Sequence, residues 1–360
     1  MKMKLRELLL PQAKSKIKAG DGLSEGKYKF FTCSPIQNKF YDTATYDCPS
    51  LIFGTGGNAS VHYCEEPFST STDCLVMYGV ADANLELIYQ YLHTNLHILQ
   101  AGFKGAGLQH ISKDYILDIE IDLPNEEMQT NITKQFRQID DMICYRNQQL
   151  LKYDELVKSR FIEMFGDPVN NSEGLPELTL PELGEFGRGV SKHRPRNDPK
   201  LLGGKYPLIQ TGEVANSNLY ITEYESTYSE LGFKQSKLWQ KGTLCITIAA
   251  NIAKTAILTF DACFPDSVVG FKANDKTNNI FIHYWFSFFQ AILEAQAPES
   301  AQKNINLKTL SELKIIVPPI DLQNEFATFV EQTDKLKFEV KQGLEKLEIL
   351  KKALMQEYFG

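Results

Sequence analysis

The chain has 360 residues, of which 43% are hydrophobic and 23% charged, and it carries a formal net charge of −7 with a pI near 5.5. That length suggests about two domains, and the composition is that of a globular chain with apolar material for more than one core. No apolar run approaches the roughly 18 residues of a membrane span, and no small-residue cleavage pattern follows Lys2, Lys4, Arg6 and Pro11, as a signal peptide would require.

Seven cysteines at irregular spacing, an odd number, fit a reduced, cytoplasmic chain. Four of them precede residue 75, and His62 lies close to Cys64, but a zinc site would want a C-x-x-C pair that is absent. The acidic excess, taken alone, argues against nucleic-acid binding. The distribution of charge decides more than its sum, because phosphate contacts need only local positive charge.

Residues 1–110 read as a first compact α+β domain: short apolar runs, turn residues and one helix near 85–99. The domain opens with Lys14, Lys16 and Lys18, and Phe53-Gly-Thr-Gly-Gly-Asn58 forms a small-residue loop. Gly54-Thr-Gly-Gly57 is not G-x-G-x-x-G. His93 and His97 are spaced for one helix face, without a third ligand in view.

Residues 111–166 form a helical spacer. Ile119, Ile121 and Leu123 alternate with acidic residues as a half-buried strand. Pro124 and Asn125 then start a helix, with a heptad seam along Ile132, Phe136, Ile139, Ile143, Arg146, Leu150, Tyr153 and Val157. About 40 helical residues span roughly 60 Å. Gly166 and Pro168 end the helix.

Residues 167–304 form a second α+β domain, with strands expected at 244–248, 256–260 and 268–271 and a helix near 280–295. Its opening segment, Arg188, Lys192, His193, Arg194, Arg196, Lys200 and Lys205 among glycines and prolines, reads as an extended basic arm suited to tracking phosphates. A strand then leads into small residues followed by Asn251, Lys254 and Thr255, a place where backbone can approach a phosphate and Asn can pair with adenine. Pro265-Asp266 hints at a nuclease, but no Glu-x-Lys follows; neither a P-loop nor the Asn-Pro-Pro-aromatic segment of an amino-methyltransferase occurs.

Residues 305–360 repeat the first spacer. They align with 111–166 at a constant offset of 194 without a gap, and 14 of 56 positions are identical. Their seam runs through Phe326, Val330, Val340, Leu344, Leu347 and Leu354, interrupted by Thr333, Lys337 and Lys351. The repeat extends faintly upstream, through Gly26-Lys-Tyr28 with Gly204-Lys-Tyr206 and Leu51–Thr55 with Leu244–Ile248. A helix with such a stripe needs a partner. If the two units are related by a pseudo-two-fold axis, that partner is the other long helix, antiparallel, in a coiled coil.

This organisation resembles the specificity subunit of type I restriction-modification systems. The resemblance rests on Leu310–Glu325 with its counterpart at 116–128, and on the run from Lys241 to Thr255, where the family more often has glycine at the place of Ala253. It implies two α/β target-recognition domains joined and separated by conserved helices that act as a spacer ruler. Double-stranded DNA would be read as a split site; the basic segments and small-residue loops described above supply the expected contact residues, Lys14, Lys16, Lys18, Asn58, Arg188, Lys192, His193, Arg194, Arg196, Lys205, Asn251, Lys254 and Thr255. The first loop lacks the usual lysine after it. The resemblance further implies a chain that is not itself an enzyme and binds no cofactor. Two methyltransferase subunits would carry S-adenosylmethionine, a restriction subunit would bring ATP and Mg, and no membrane would be involved. The rival readings are a variant recruiting a different methyltransferase, a coiled-coil scaffold with two peptide- or carbohydrate-binding domains, and a single-chain enzyme.

Overall fold

The structure, a computed structural model, describes residues 2–80, 83–105, 107, 109–249, 252–296 and 305–359. The chain forms two compact units, one of residues 1–148 with 340–360 and one of residues 149–339. Neither unit coincides with one repeat in sequence, because each takes the end of a long helix that began elsewhere.

In the first unit, strand Lys2–Lys4 leads into the short helix Leu5–Leu8, whose first turn is closed by Lys4 N–H donating to Glu7 Oε1 at 2.9 Å. An antiparallel sheet follows, in the order Leu9–Pro11, Cys74–Gly79, Ser50–Gly54, Ser60–Cys64. A second sheet pairs Tyr28–Phe31 with Lys39–Tyr41 and, in parallel, with Phe68–Thr70. The helix expected at 85–99 is two helices, Leu85–Thr94 and Leu96–Gln100. The break is at Asn95, whose side chain donates both to Tyr91 O and to Phe359 O, at 3.2 Å each. Such local bonds let Asn compete with helical continuation.

The second unit repeats this order. Strand Glu177–Leu178 leads into helix Leu180–Leu183, closed by Thr179 N–H to Glu182 Oε2 at 2.7 Å. Its main sheet runs Gly184–Arg188, Val268–Ala273, Leu244–Thr247, Thr255–Leu258, with Tyr220–Ile221 added in parallel. The second sheet again has a parallel pair, Leu202–Leu208 with Ala262–Cys263. The caps coincide as well. Asn84 accepts from Leu87 N–H and Asn278 from Phe281 N–H; Ser112 accepts from Tyr115 N–H and Asn306 from Thr309 N–H. Each pair of caps lies at the offset of the sequence repeat.

The strand before each long helix closes its own unit: Glu120–Asp122 pairs with Lys2–Lys4, and Ile315–Ile316 with Glu177–Leu178. Ile119, Ile121 and Leu123 are buried, as their alternation predicts. The long helices are Glu126–Phe165 and Ile320–Phe359. Asn125 caps the first by accepting from Met128 N–H at 2.9 Å, and Gly166, at φ +72°, ends it in the left-handed conformation that glycine adopts without a Cβ penalty.

Within each unit the two helices run antiparallel. In the first, Phe136 stacks on Phe359, and Lys351 Nζ donates to Asp140 Oδ1 at 2.6 Å. In the second, Phe161 meets Phe326 edge-on, and Lys337 Nζ donates to Asp154 Oδ1 at 2.6 Å. Ile132, Phe136, Ile139, Val157, Phe326, Val330 and Val340 are buried, while Ile143, Leu150, Leu344, Leu347 and Leu354 are half-buried. Thr333 and Lys337, which interrupt the apolar pattern, lie buried on that same seam. Among the described residues no helix is long and apolar enough to cross a membrane.

Candidate nucleic-acid interface

Both basic segments leave the same strand of their unit. In the second unit, edge strand Gly184–Arg188 ends in Gly189, whose missing side chain lets the backbone pass against the carbonyls of Phe264 and Pro265. Any Cβ there would collide with main-chain atoms, so this glycine fixes where the loop begins.

The segment beyond is not an extended arm. Lys192 and His193 N–H groups both donate to Gln235 Oε1, and Arg194 donates to the carbonyls of Ser191 and His193. His193 lies 3.2 Å from Asp198, which also accepts from Lys200 N–H; that N–H, before the imidazole, holds the Asp198 carboxyl below its usual range. Arg196 pairs with Asp266, Arg194 lies 3.5 Å from the other oxygen of the same carboxylate, and Lys205 pairs with Glu230 at 3.0 Å. The composition of residues 188–205 suggests an open chain, yet acceptors from distant parts of the unit fold it into a compact loop.

Arg188 and Lys192 are exposed, Lys254 is half-buried, and none of the three has an ion pair among the described residues. Arg188 and Arg196 line one cleft of about 340 Å³ with Ile248, Asp266, Ile305 and Asn306. The structure thus brings together Arg188, Arg194 and Arg196, whereas Lys205 is engaged elsewhere.

The small-residue loop between Leu244–Thr247 and Thr255–Leu258 is pinned by Thr247 N–H to Lys254 O and Ala253 N–H to Thr247 O. Ala253 has φ +58°, a conformation in which glycine is less strained. Thr255 departs from expectation: it is buried, and its hydroxyl is hydrogen-bonded to His283 Nδ1 at 2.9 Å, so it faces the core rather than a ligand. Asn251 lies outside the described residues.

The first unit carries the matching loop. Thr55 N–H donates to Asp73 O and Ile111 N–H to Thr55 O; in the second unit Ile248 N–H donates to Ser267 O and Ile305 N–H to Ile248 O. These four bonds put the two loops at one place in one topology. Gly57, at φ +83°, turns the first loop and Asn58 is exposed at its tip. Lys14, Lys16 and Lys18 follow strand Leu9–Pro11, exposed and without ion pairs among the described residues.

Asp266, Gln235 and Asn306 escaped the sequence reading. Only Pro265-Asp266 gave a signal, and it pointed to a different chemistry. Among the described residues no cluster of three or more His, Cys, Asp or Glu side chains is placed to hold a metal.

Comparison with known proteins shows the family and the fold. The family model of the type I restriction modification DNA specificity domain matches residues 1–152 and again 177–349, and the chain belongs to that family. The specificity subunit of the Escherichia coli EcoDI type I restriction enzyme is 21% identical, with 98% of this chain and 86% of that protein aligned. A Methanocaldococcus jannaschii protein assigned as the MjaX type I restriction enzyme specificity subunit is 23% identical over 70% of this chain, and the match spans 61% of that protein's length. Among solved structures, the type I restriction-modification S subunit from M. genitalium superposes with a TM-score of 0.61 at 15% identity, covering 100% of this chain and 96% of the other. A chain from a study of assembly and conformational transition in a type I system gives 0.59 at 15% identity, covering 100% and 97%. At such identities the two structures speak for the fold.

Proposed function

We propose that this chain is the DNA specificity subunit of a type I restriction-modification complex, reading a bipartite duplex site with one unit per half. The observation that carries the reading is the duplicated anchoring of the two loops, with a basic segment leaving the same strand beside each. Phosphate contacts would come from Arg188, Lys192, Arg194, Arg196 and Lys254 in one unit and from Lys14, Lys16 and Lys18 in the other, with Asn58 and Asn251 as base-contact candidates. The long helices would set the spacer between half-sites.

The chain itself would catalyse nothing and bind no cofactor. Two methyltransferase subunits carrying S-adenosylmethionine would flip and methylate the base, and a restriction subunit using ATP and Mg would join them in the cytoplasm. A duplicated apolar stripe supports two equivalent protein partners. Met128, Met142 and Leu156 on the first helix, and Leu322, Leu336 and Leu350 on the second, are exposed at intervals of two heptads and at the offset of the repeat. The family match leaves the peptide- or carbohydrate-binding scaffold without support.

The test is a duplex pull-down with this chain, its methyltransferase partner, or both. Sequence-dependent capture that requires the chain supports the reading. Equal capture by the methyltransferase alone contradicts it.

A further inference from the structure

Asp266 is the acidic centre of the basic loop. It sits between the turn crossed by Gly189 and the strand Val268–Ala273, and its two oxygens face Arg196 and Arg194. All three side chains are between about one-third and one-half exposed: 36% for Asp266, 44% for Arg196 and 54% for Arg194. Pairs so open to water contribute little to folding. Their electrostatic effect on a polyanion is larger, because one carboxylate cancels charge at the point where two guanidiniums converge.

We propose that Asp266 is a specificity-determining residue, which occupies Arg194 and Arg196 in the free protein and yields them only to a duplex whose phosphates displace it. The inference rests on the DNA-reading function proposed above. A duplex that seats fully in the cleft beside Arg188 places phosphates where the carboxylate stands, and both arginines exchange partners. A duplex held loosely by Arg188 and Lys192 gains neither. Asp266 thereby lowers affinity for non-cognate DNA, while His193 faces Asp198, Lys205 pairs with Glu230, and Arg188 and Lys192 stay without an ion pair among the described residues.

The experiment measures binding of the full-length chain and its Asp266→Asn variant to a mixed-sequence duplex, by fluorescence anisotropy across a salt series. The variant is expected to bind about three- to tenfold more tightly at low salt, with a log–log salt slope steeper by about one. Arg194→Ala with Arg196→Ala, added to Asp266→Asn, should erase the gain. Asp266→Ser repeats the measurement, separating loss of charge from any effect of the new amide. Unchanged or weaker binding by both variants, with an unshifted unfolding midpoint, overturns the role of Asp266 alone. If neither wild type nor variants bind duplex at any salt, the DNA-reading function falls and this inference falls with it.

Discussion

The buried lysine on the helix seam makes a sharp demand on stability. Lys337 is 9% exposed at its side chain and donates to Asp154 at 2.6 Å, with Asp334 at 3.7 Å. Removing one partner from a fully buried pair costs about 3–5 kcal/mol. Asp154 is 55% exposed and Asp334 remains, so Asp154→Ala should cost less, about 1–2 kcal/mol. For a unit of this size that lowers the unfolding midpoint by about 2–8 °C. Lys337→Met removes the charge itself and supplies a flexible apolar chain, so it should be neutral or stabilising. The double variant should then recover most of the loss. Circular dichroism melts of the four proteins decide the matter. A Lys337→Met variant as unstable as Asp154→Ala, or an Asp154→Ala variant that melts with wild type, would refute the reasoning.

Arg194→Ala and Lys254→Ala should each weaken binding of a duplex that carries the recognised site and reduce the salt slope by about one, read from anisotropy isotherms. Phe161→Ala removes a buried ring that meets Phe165, Phe281 and Phe326, and should cost about 3–5 kcal/mol in urea unfolding. Burial pushes the His283 imidazole down to about 4. The unfolded chain takes up that proton near pH 6.5 and the folded chain does not, so stability falls as pH drops from about 6.5 towards about 4. His283→Gln should flatten that part of the stability–pH profile. Inserting one helical turn after Leu150 should change the permitted spacer or abolish site recognition, read by methylation sequencing.

The repeat was legible because the long helices tolerate no insertion without losing their seam, so Pro124, Gln129, Leu150 and Gly166 keep their distance from Pro318, Gln323, Leu344 and Gly360. Strands and the helix start were legible from period and caps. What pairs across long separations was not. Arg196 and Asp266 lie 70 residues apart, and Thr255 meets His283 after 28, so neither the folded loop nor the buried threonine left a local pattern. The same holds for the helix ends. Phe165 belongs to the core of the second unit and Phe359 to that of the first, although the repeat alone assigns each to the domain before it.

The most direct measurement is methylation sequencing of cells carrying this chain with its methyltransferase partner, before and after residues 167–304 are exchanged for those of a relative. The account predicts a two-part motif with a fixed gap, of which one half changes and the other persists. An uninterrupted motif, or a motif altered in both halves by that exchange, would contradict it.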